Sequence, residues 1–297
     1  MIDTYALDPE VLLSADNPIG ITDQFGVGRG RMLAKLPKDW QHKLLYQAKE
    51  QMGGTLAYKR LSKALERIRK ASISYDHKPF ESDTWLEDAE RNDWDLRCIV
   101  ATSNPREHPK VIAHSDMHAD TDLWHVMTSN AVPRTAEALS RAVAPLVRTA
   151  KQLVLVDPHF DADPDRDKTR FSSVLGKILQ DFNLKDRTTL HVRYNDSINY
   201  KDDCMKYLPR ILPPDMVLSI KRWKERPGGE KLHARYVMSQ LGGMAFEVGL
   251  DEGYDGQTTD VHLLDDKLYR QRYEQYMGAN PAFDLVEEFE VIGVLSA

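Results

Sequence analysis

The run Leu153-Val154-Leu155-Val156, closed by Asp157-Pro158, constrains this chain most. A strand that is apolar on both faces must be covered on both, which places it inside a sheet rather than at an open surface. The sequence after it alternates regularly. A helix is expected over 171–182, a strand over 188–194, a helix over 200–211 punctuated by Pro209, and a strand over 216–223. Residues 231–239 and 244–249 then read as a hairpin turning at Leu241-Gly242-Gly243. This order predicts an α/β fold with a mixed, largely parallel-centred sheet over residues 131–297.

Residues 1–130 read differently, as a mostly helical region with some strand. One helix is expected over 38–52, stopped by Gly53-Gly54, and a second over 55–71. The second helix puts Ala57, Leu61, Ala64, Leu65 and Ile68 on one face. Lys59, Arg60, Lys63, Arg67, Arg69 and Lys70 surround that face, with Glu66 the only acid among them. Such a face is either solvated or a polyanion contact, and the acidic stretch 81–95 offers it a partner within the chain. Strands are expected at 96–101 and 111–113, and a helix over 134–150 that Pro145 kinks.

Charge narrows the partners. Forty Lys and Arg against 46 Asp and Glu give a net charge of −6, which excludes a uniformly basic coat. A nucleic acid must then meet local patches: Lys59, Lys63 and Lys70 on the basic helix, Arg29 and Arg31 in the loop Phe25-Gly26-Val27-Gly28-Arg29-Gly30-Arg31, and Arg166 and Arg170. That loop lacks the residues of a P-loop or a dinucleotide fingerprint. Cys98 and Cys204 are too isolated for a disulfide framework or a cysteine zinc site. With no basic leader and no apolar run of the ~20 residues a span requires, a soluble, cytoplasmic protein without membrane contact is expected.

The chemistry concentrates at Lys231-Leu232-His233-Ala234-Arg235-Tyr236. Period two puts His233 and Arg235 on one face of a strand, with Leu232, Ala234 and Tyr236 on the other. A neutral imidazole can attack phosphorus, and a guanidinium beside it can hold the nonbridging oxygens. Together with the strand ending Asp157-Pro158-His159-Phe160 and the later Phe246-Glu247-Val248-Gly249-Leu250-Asp251-Glu252, this resembles the phospholipase D-like superfamily over roughly residues 135–275.

The resemblance implies an α/β/α sandwich and a phosphodiester hydrolase, a nuclease acting through a phosphohistidine and needing no cofactor or metal. His233 matches the family's nucleophile, and Arg235 stands at its lysine. Gln240 stands at its aspartate, Glu247 at its glycine, and Gly249 is followed by Leu250 where the family has serine. Asp251 and Glu252 are the candidates to orient the imidazole, with Glu252 placed in the catalytic set. The family's site joins two such motifs, whereas this chain carries one, so a homodimer placing two copies of His233 together is expected. Relatives of this kind also serve as effector subunits in bacterial defence complexes, which implies a partner ATPase or scaffold. The departures from the motif support the alternative of a decayed, noncatalytic assembly subunit.

Other residues fill in the site. Asp157 and His159 stand at the carboxyl edge of their strand, where open α/β sheets gather ligands. In His191-Val192-Arg193, Arg193 is the expected substrate contact and His191 a structural residue. His108-Pro109-Lys110 reads as a loop. The acidic loop 161–167 could take a cation, and His114, His118 and His125 among Asp116, Asp120 and Asp122 could form a metal site, the basis of a third reading as a metal-dependent hydrolase.

Overall fold

The computed structural model describes residues 1–37, 39–80, 82–118, 120–163, 171–180, 188–196 and 199–295. It is a mixed α/β protein whose contacts divide it into two compact units, Met1–Met127 and Thr128–Ala297. Arg166, Arg170 and most of the acidic loop 161–167 lie outside the described residues.

The first unit carries more helix than strand, and its helices are organised on a parallel sheet. Its strands are β1 (Asp3–Leu7), β2 (Arg31–Ala34), β3 (Ser72–Ile73), β4 (Cys98–Ala101) and β5 (Val111–Ala113), in the order β3-β2-β1-β4-β5. These strands are too short to impose a period on the sequence, and parallel pairing gives no hairpin signal. The connections carry α1 (Pro9–Ser14), α2 (Pro18–Thr22), α3 (Trp40–Met52), α4 (Leu56–Ala71) and α5 (Trp85–Arg91). In α4 the expected core face is buried from Leu61 to Ile68, and Ala57 is exposed. Leu61, Leu65 and Ile68 join a cluster with Tyr5, Leu7, Leu44 and Val100. Burial of each such side chain contributes about 1.5–3 kcal/mol. Thr55 caps the helix by accepting from the Tyr58 N–H at 3.2 Å.

The acidic stretch finds partners other than α4. Asp88 meets His77 at 2.6 Å, Glu87 meets Arg91 at 2.7 Å and Glu90 meets Arg106 at 2.5 Å. Among the described residues the basic face of α4 has two ion pairs, Lys70 with Glu66 and Arg67 with Asp23.

The second unit holds an eight-stranded mixed sheet in the order β13-β9-β8-β7-β10-β11-β12-β6. The centre is parallel: β7 (Leu153–Val156), β8 (Thr188–Arg193) and β9 (Val217–Lys224), linked through α7 (Phe171–Gln180) and α8 (Tyr200–Tyr207). Antiparallel to β7 runs β10 (Arg235–Ser239), which turns at Gln240-Leu241 into β11 (Gly242–Phe246). Beyond it lie β12 (Thr258–Leu263) and the edge strand β6 (Ser129–Pro133), with β13 (Asp284–Ile292) on the opposite edge. Pro133 therefore closes a strand before the helix α6 (Ala136–Arg148), as an edge position permits. α9 (Asp266–Met277) packs Tyr269, Tyr273 and Met277 against a cluster of Val154, Val156, Leu232, Tyr236 and Met238.

One expected strand is shorter than its pattern. Residues 231–234 form a turn, so His233 precedes β10 and does not share a strand face with Arg235. The cause is local: the Leu232 N–H donates to Glu225 Oε1 at 3.0 Å, and the Leu232 carbonyl accepts from Arg193 Nη2. Side chains thus occupy the backbone groups a ladder would need.

Candidate active site

Two strand ends meet at this site. β7 stops at Val156 because Pro158 has no N–H to offer a ladder, and Asp157 makes the turn. Asp157 is 2% exposed and accepts from the His159 N–H at 2.9 Å and the Leu250 N–H at 3.3 Å. Burial pushes its carboxyl up to about 6, against the lowering effects of those two hydrogen bonds and of Arg235.

β10 arrives from the other direction. Its register with β7 pairs Tyr236 with Val156. Arg235 opens β10 one step before that pair, and His233, in the turn ahead of it, comes against His159. The two imidazoles lie edge to face with centroids 6.0 Å apart. Both histidines are exposed, and neither ring makes a hydrogen bond among the described residues. His159 is nonetheless partly desolvated. Burial, then the charges of Arg235, Arg193 and His233, hold its imidazole below the usual value.

Two arginines frame the pair. Arg235 Nη1 donates to the His233 carbonyl at 3.1 Å, and the rest of its fork is uncommitted among the described residues. Arg193, at the end of β8, donates to the Leu232 carbonyl and to Glu225 Oε1 at 3.2 Å, so it braces the turn that carries His233. Glu225 is a positioning residue absent from the sequence analysis: it also takes Lys231 Nζ at 3.0 Å. Nothing in its sequence surroundings distinguishes it, because its partners are 6 to 32 residues away.

The acidic candidates are placed differently from expectation. Asp251 pairs with Arg134 Nη2 at 2.6 Å, and Glu252 accepts from the Ala136 N–H at 3.1 Å at the start of α6. Among the described residues no hydrogen bond joins either carboxylate to an imidazole, so Glu252 is a helix-terminus acceptor. Gly249 serves this loop, since a Cβ there would strike the Asp251 carboxylate and its φ of +158° disfavours other residues. Gln240 lies at the far end of β10, accepting from the Lys151 N–H at 2.9 Å. His191 is buried, accepts from Trp223 Nε1 at 3.0 Å and contacts Thr189 at 3.1 Å, in keeping with a structural role.

The remaining candidates lie in the first unit. Arg31 is committed: its guanidinium donates to the Trp124 carbonyl at 3.1 and 2.9 Å and stacks 4.1 Å over the Trp124 ring. The glycine loop before it is a turn closed by a bridge between Gly26 and Arg31. Arg29, Lys59 and Lys63 are exposed without an ion pair among the described residues, and Lys70 is exposed beside Glu66 at 2.8 Å. Among the described residues no group of His, Cys, Asp and Glu is arranged to hold a metal, His114, His118 and His125 included. None of the described helices is long and apolar enough to cross a membrane.

No family model and no curated protein matches the chain. Among solved structures it is similar to TrmBL2, an archaeal chromatin protein whose structure shows a novel mode of DNA binding. The TM-score is 0.27 and the identity 11%, over 53% of this chain and 55% of that one. A likeness at that level carries no argument about this chain.

Proposed function

We propose that the chain is a phospholipase D-like phosphodiesterase, a nuclease that cleaves DNA or RNA through a phosphohistidine. The observation that carries the reading is the meeting of His233 with His159 at 6.0 Å beside Arg193 and Arg235. An imidazole can displace an oxygen from phosphorus, and guanidinium donors can hold the equatorial oxygens as charge gathers on them. The scheme needs no metal. A nucleic acid as substrate is supported by the exposed Lys59, Arg60 and Lys63 on α4 and by Arg29. The resemblance extends the proposal to a cytoplasmic effector of a bacterial defence complex, working as a homodimer with a partner ATPase or scaffold.

Cleavage of labelled single- and double-stranded DNA and RNA in EDTA, with His233→Ala alongside, tests this reading. Cleavage that survives EDTA and is lost in the variant is expected. The pH profile should be a bell, because one imidazole must be neutral and another protonated; a rate still rising well above about pH 9 would contradict it.

A second reading, a noncatalytic assembly subunit, draws on one observation: among the described residues neither imidazole is oriented by a carboxylate. It predicts that His233→Ala leaves the biological activity intact.

A further inference from the structure

Two clefts of the second unit treat their cations differently. One, of about 410 Å³, is lined by Trp223, Phe283, Lys221 and Arg226, and each cation has an acid: Glu288 is 3.4 Å from Lys221 and Asp284 2.7 Å from Arg226. The other, of about 390 Å³, is lined by Arg141 and Arg148 of α6 and Lys177 of α7. Among the described residues none of these three makes an ion pair or a hydrogen bond through its side chain. We propose that the α6–α7 cleft binds the phosphate backbone of a nucleic acid, through residues other than those of the candidate active site. This rests on the nucleic-acid part of the reading above, and not on the histidine chemistry.

The helix period builds the cleft. α6 buries Leu139, Val143, Leu146 and Val147, which turns Arg141 and Arg148 outward on one face. Two turns separate them, a rise of about 10 Å. Between them stand Ala144 and Pro145, whose short side chains leave room, and Lys177 lines the cleft from α7. Ser140 is buried there and donates its hydroxyl to the Glu137 carbonyl at 3.2 Å. Glu137 is the one carboxylate in the lining, placed in the first turn, where a helix favours an acid.

Cations in file without acids suit a row of anions. One strand of a duplex carries a charge every ~3.4 Å of axis, so about three phosphates span the rise from Arg141 to Arg148. A single phosphoryl group would be served by one guanidinium, whose fork takes two oxygens. The Ser140 hydroxyl is already spent on Glu137, so the cleft holds backbone and does not read bases. The course of α6 joins this surface to the candidate site. Its Ala136 N–H is held by Glu252, and in the same loop the Leu250 N–H reaches Asp157. α6 then leads into β7, so its far end lies at the amino edge of that strand and the cations point away from the site along the helix.

Fluorescence anisotropy of a labelled duplex across a salt series tests the cleft, using the full chain with His233→Ala so that cleavage does not interfere. Replacing Arg141, Arg148 and Lys177 together by Gln should weaken binding at least about tenfold at low salt and reduce the slope of log K against log salt by about 2–3. Glu137→Gln, which removes the one acid, should tighten binding about two- to fivefold. Two duplexes of unrelated sequence should bind alike. A triple variant that melts as its parent does and binds with unchanged affinity and slope overturns the cleft, and leaves the phosphodiesterase reading to the EDTA cleavage assay. Should the triple variant not fold, unchanged or weaker binding by Glu137→Gln overturns it instead. Tripolyphosphate held by these residues in a chain that binds no duplex replaces the nucleic acid with a small polyanion, and also overturns the proposal. A wild-type chain that hydrolyses a nitrophenyl diester yet binds no nucleic acid overturns the cleft and the nucleic-acid substrate together, with the phosphodiesterase reading left standing.

Discussion

Two strands in this protein end in the same way and do different things. β1 runs Ala6-Leu7 into Asp8-Pro9, and β7 runs Leu155-Val156 into Asp157-Pro158. Each aspartate is buried, each accepts the N–H two residues on, from Glu10 at 3.0 Å or His159 at 2.9 Å, and burial pushes each to about 6. At Asp8 the turn opens α1, and the neighbouring charge acting on it is that of Glu10. At Asp157 the neighbouring charges include Arg235. The strands beside β1, namely β2 and β4, both run parallel to it, so the carboxyl edge gathers only strand ends. β7 has one antiparallel neighbour, and that strand delivers His233 and Arg235 to the turn. The turn is common to both units, and the chemistry comes from the direction of the strand next to it.

The largest expected effect separates the two turns by activity. Arg235→Ala should lower kcat/KM for phosphodiester cleavage by about 10²–10³-fold, the scale of removing a donor from developing charge. Asp8→Asn should change it by less than about twofold. Steady-state kinetics on the two purified variants decides, and equal losses would erase the distinction.

A second test uses proton linkage. Asp157 holds its proton to about pH 6 in the fold but loses it near 3.8 when unfolded, so its contribution is full below about pH 4 and is lost as pH rises through 6. The span is about 3 kcal/mol. His191, buried and lowered to about 3, acts with the opposite sign: its contribution is full above about 6.5 and is lost as pH falls towards 3. Between pH 4 and 6 the two slopes oppose each other. Asp157→Asn should expose the histidine slope, with stability dropping about 1.4 kcal/mol for each pH unit of acidification. Urea unfolding followed by tryptophan fluorescence at pH 4, 5 and 6 checks it; an unchanged pH dependence would show that Asp157 titrates normally.

A smaller effect concerns the cations of the first unit. Replacing Lys59, Arg60 and Lys63 together by Ala should reduce the slope of log K against log salt for nucleic-acid binding by about 2–3, with the fold unchanged. Arg31→Ala should instead cost about 1–3 kcal/mol of stability, because its guanidinium holds the Trp124 carbonyl, and should leave the salt slope unaltered. Isothermal binding at two salt concentrations, with a melting curve, separates them.

Elements with strong local patterns were legible. Leu153–Val156 is buried at every position, and the α4 stripe from Leu61 to Ile68 faces the core. Patterns that depend on partners misled or were silent. Leu232, Ala234 and Tyr236 alternate as a strand does, and all three join the core cluster, yet residues 231–234 are a turn because Glu225 and Arg193 occupy the backbone of Leu232. In the first unit β4 and β5 were legible as strands, whereas β2 and β3, with four and two residues, were not. Glu252 carries no local mark of its bond to Ala136, 116 residues away. His159 and His233 were each visible, but their meeting depends on the turn that Glu225 and Arg193 hold at Leu232, which no local pattern shows.

The most direct measurement is a crystal structure of the chain grown with orthovanadate, an analogue of phosphate in its five-coordinate state. Vanadate bound between His159 and His233, with Arg193 and Arg235 on its equatorial oxygens, is the predicted result. Vanadate bound elsewhere, at the Asp8 turn or on α4, with the two histidines unchanged, would contradict it.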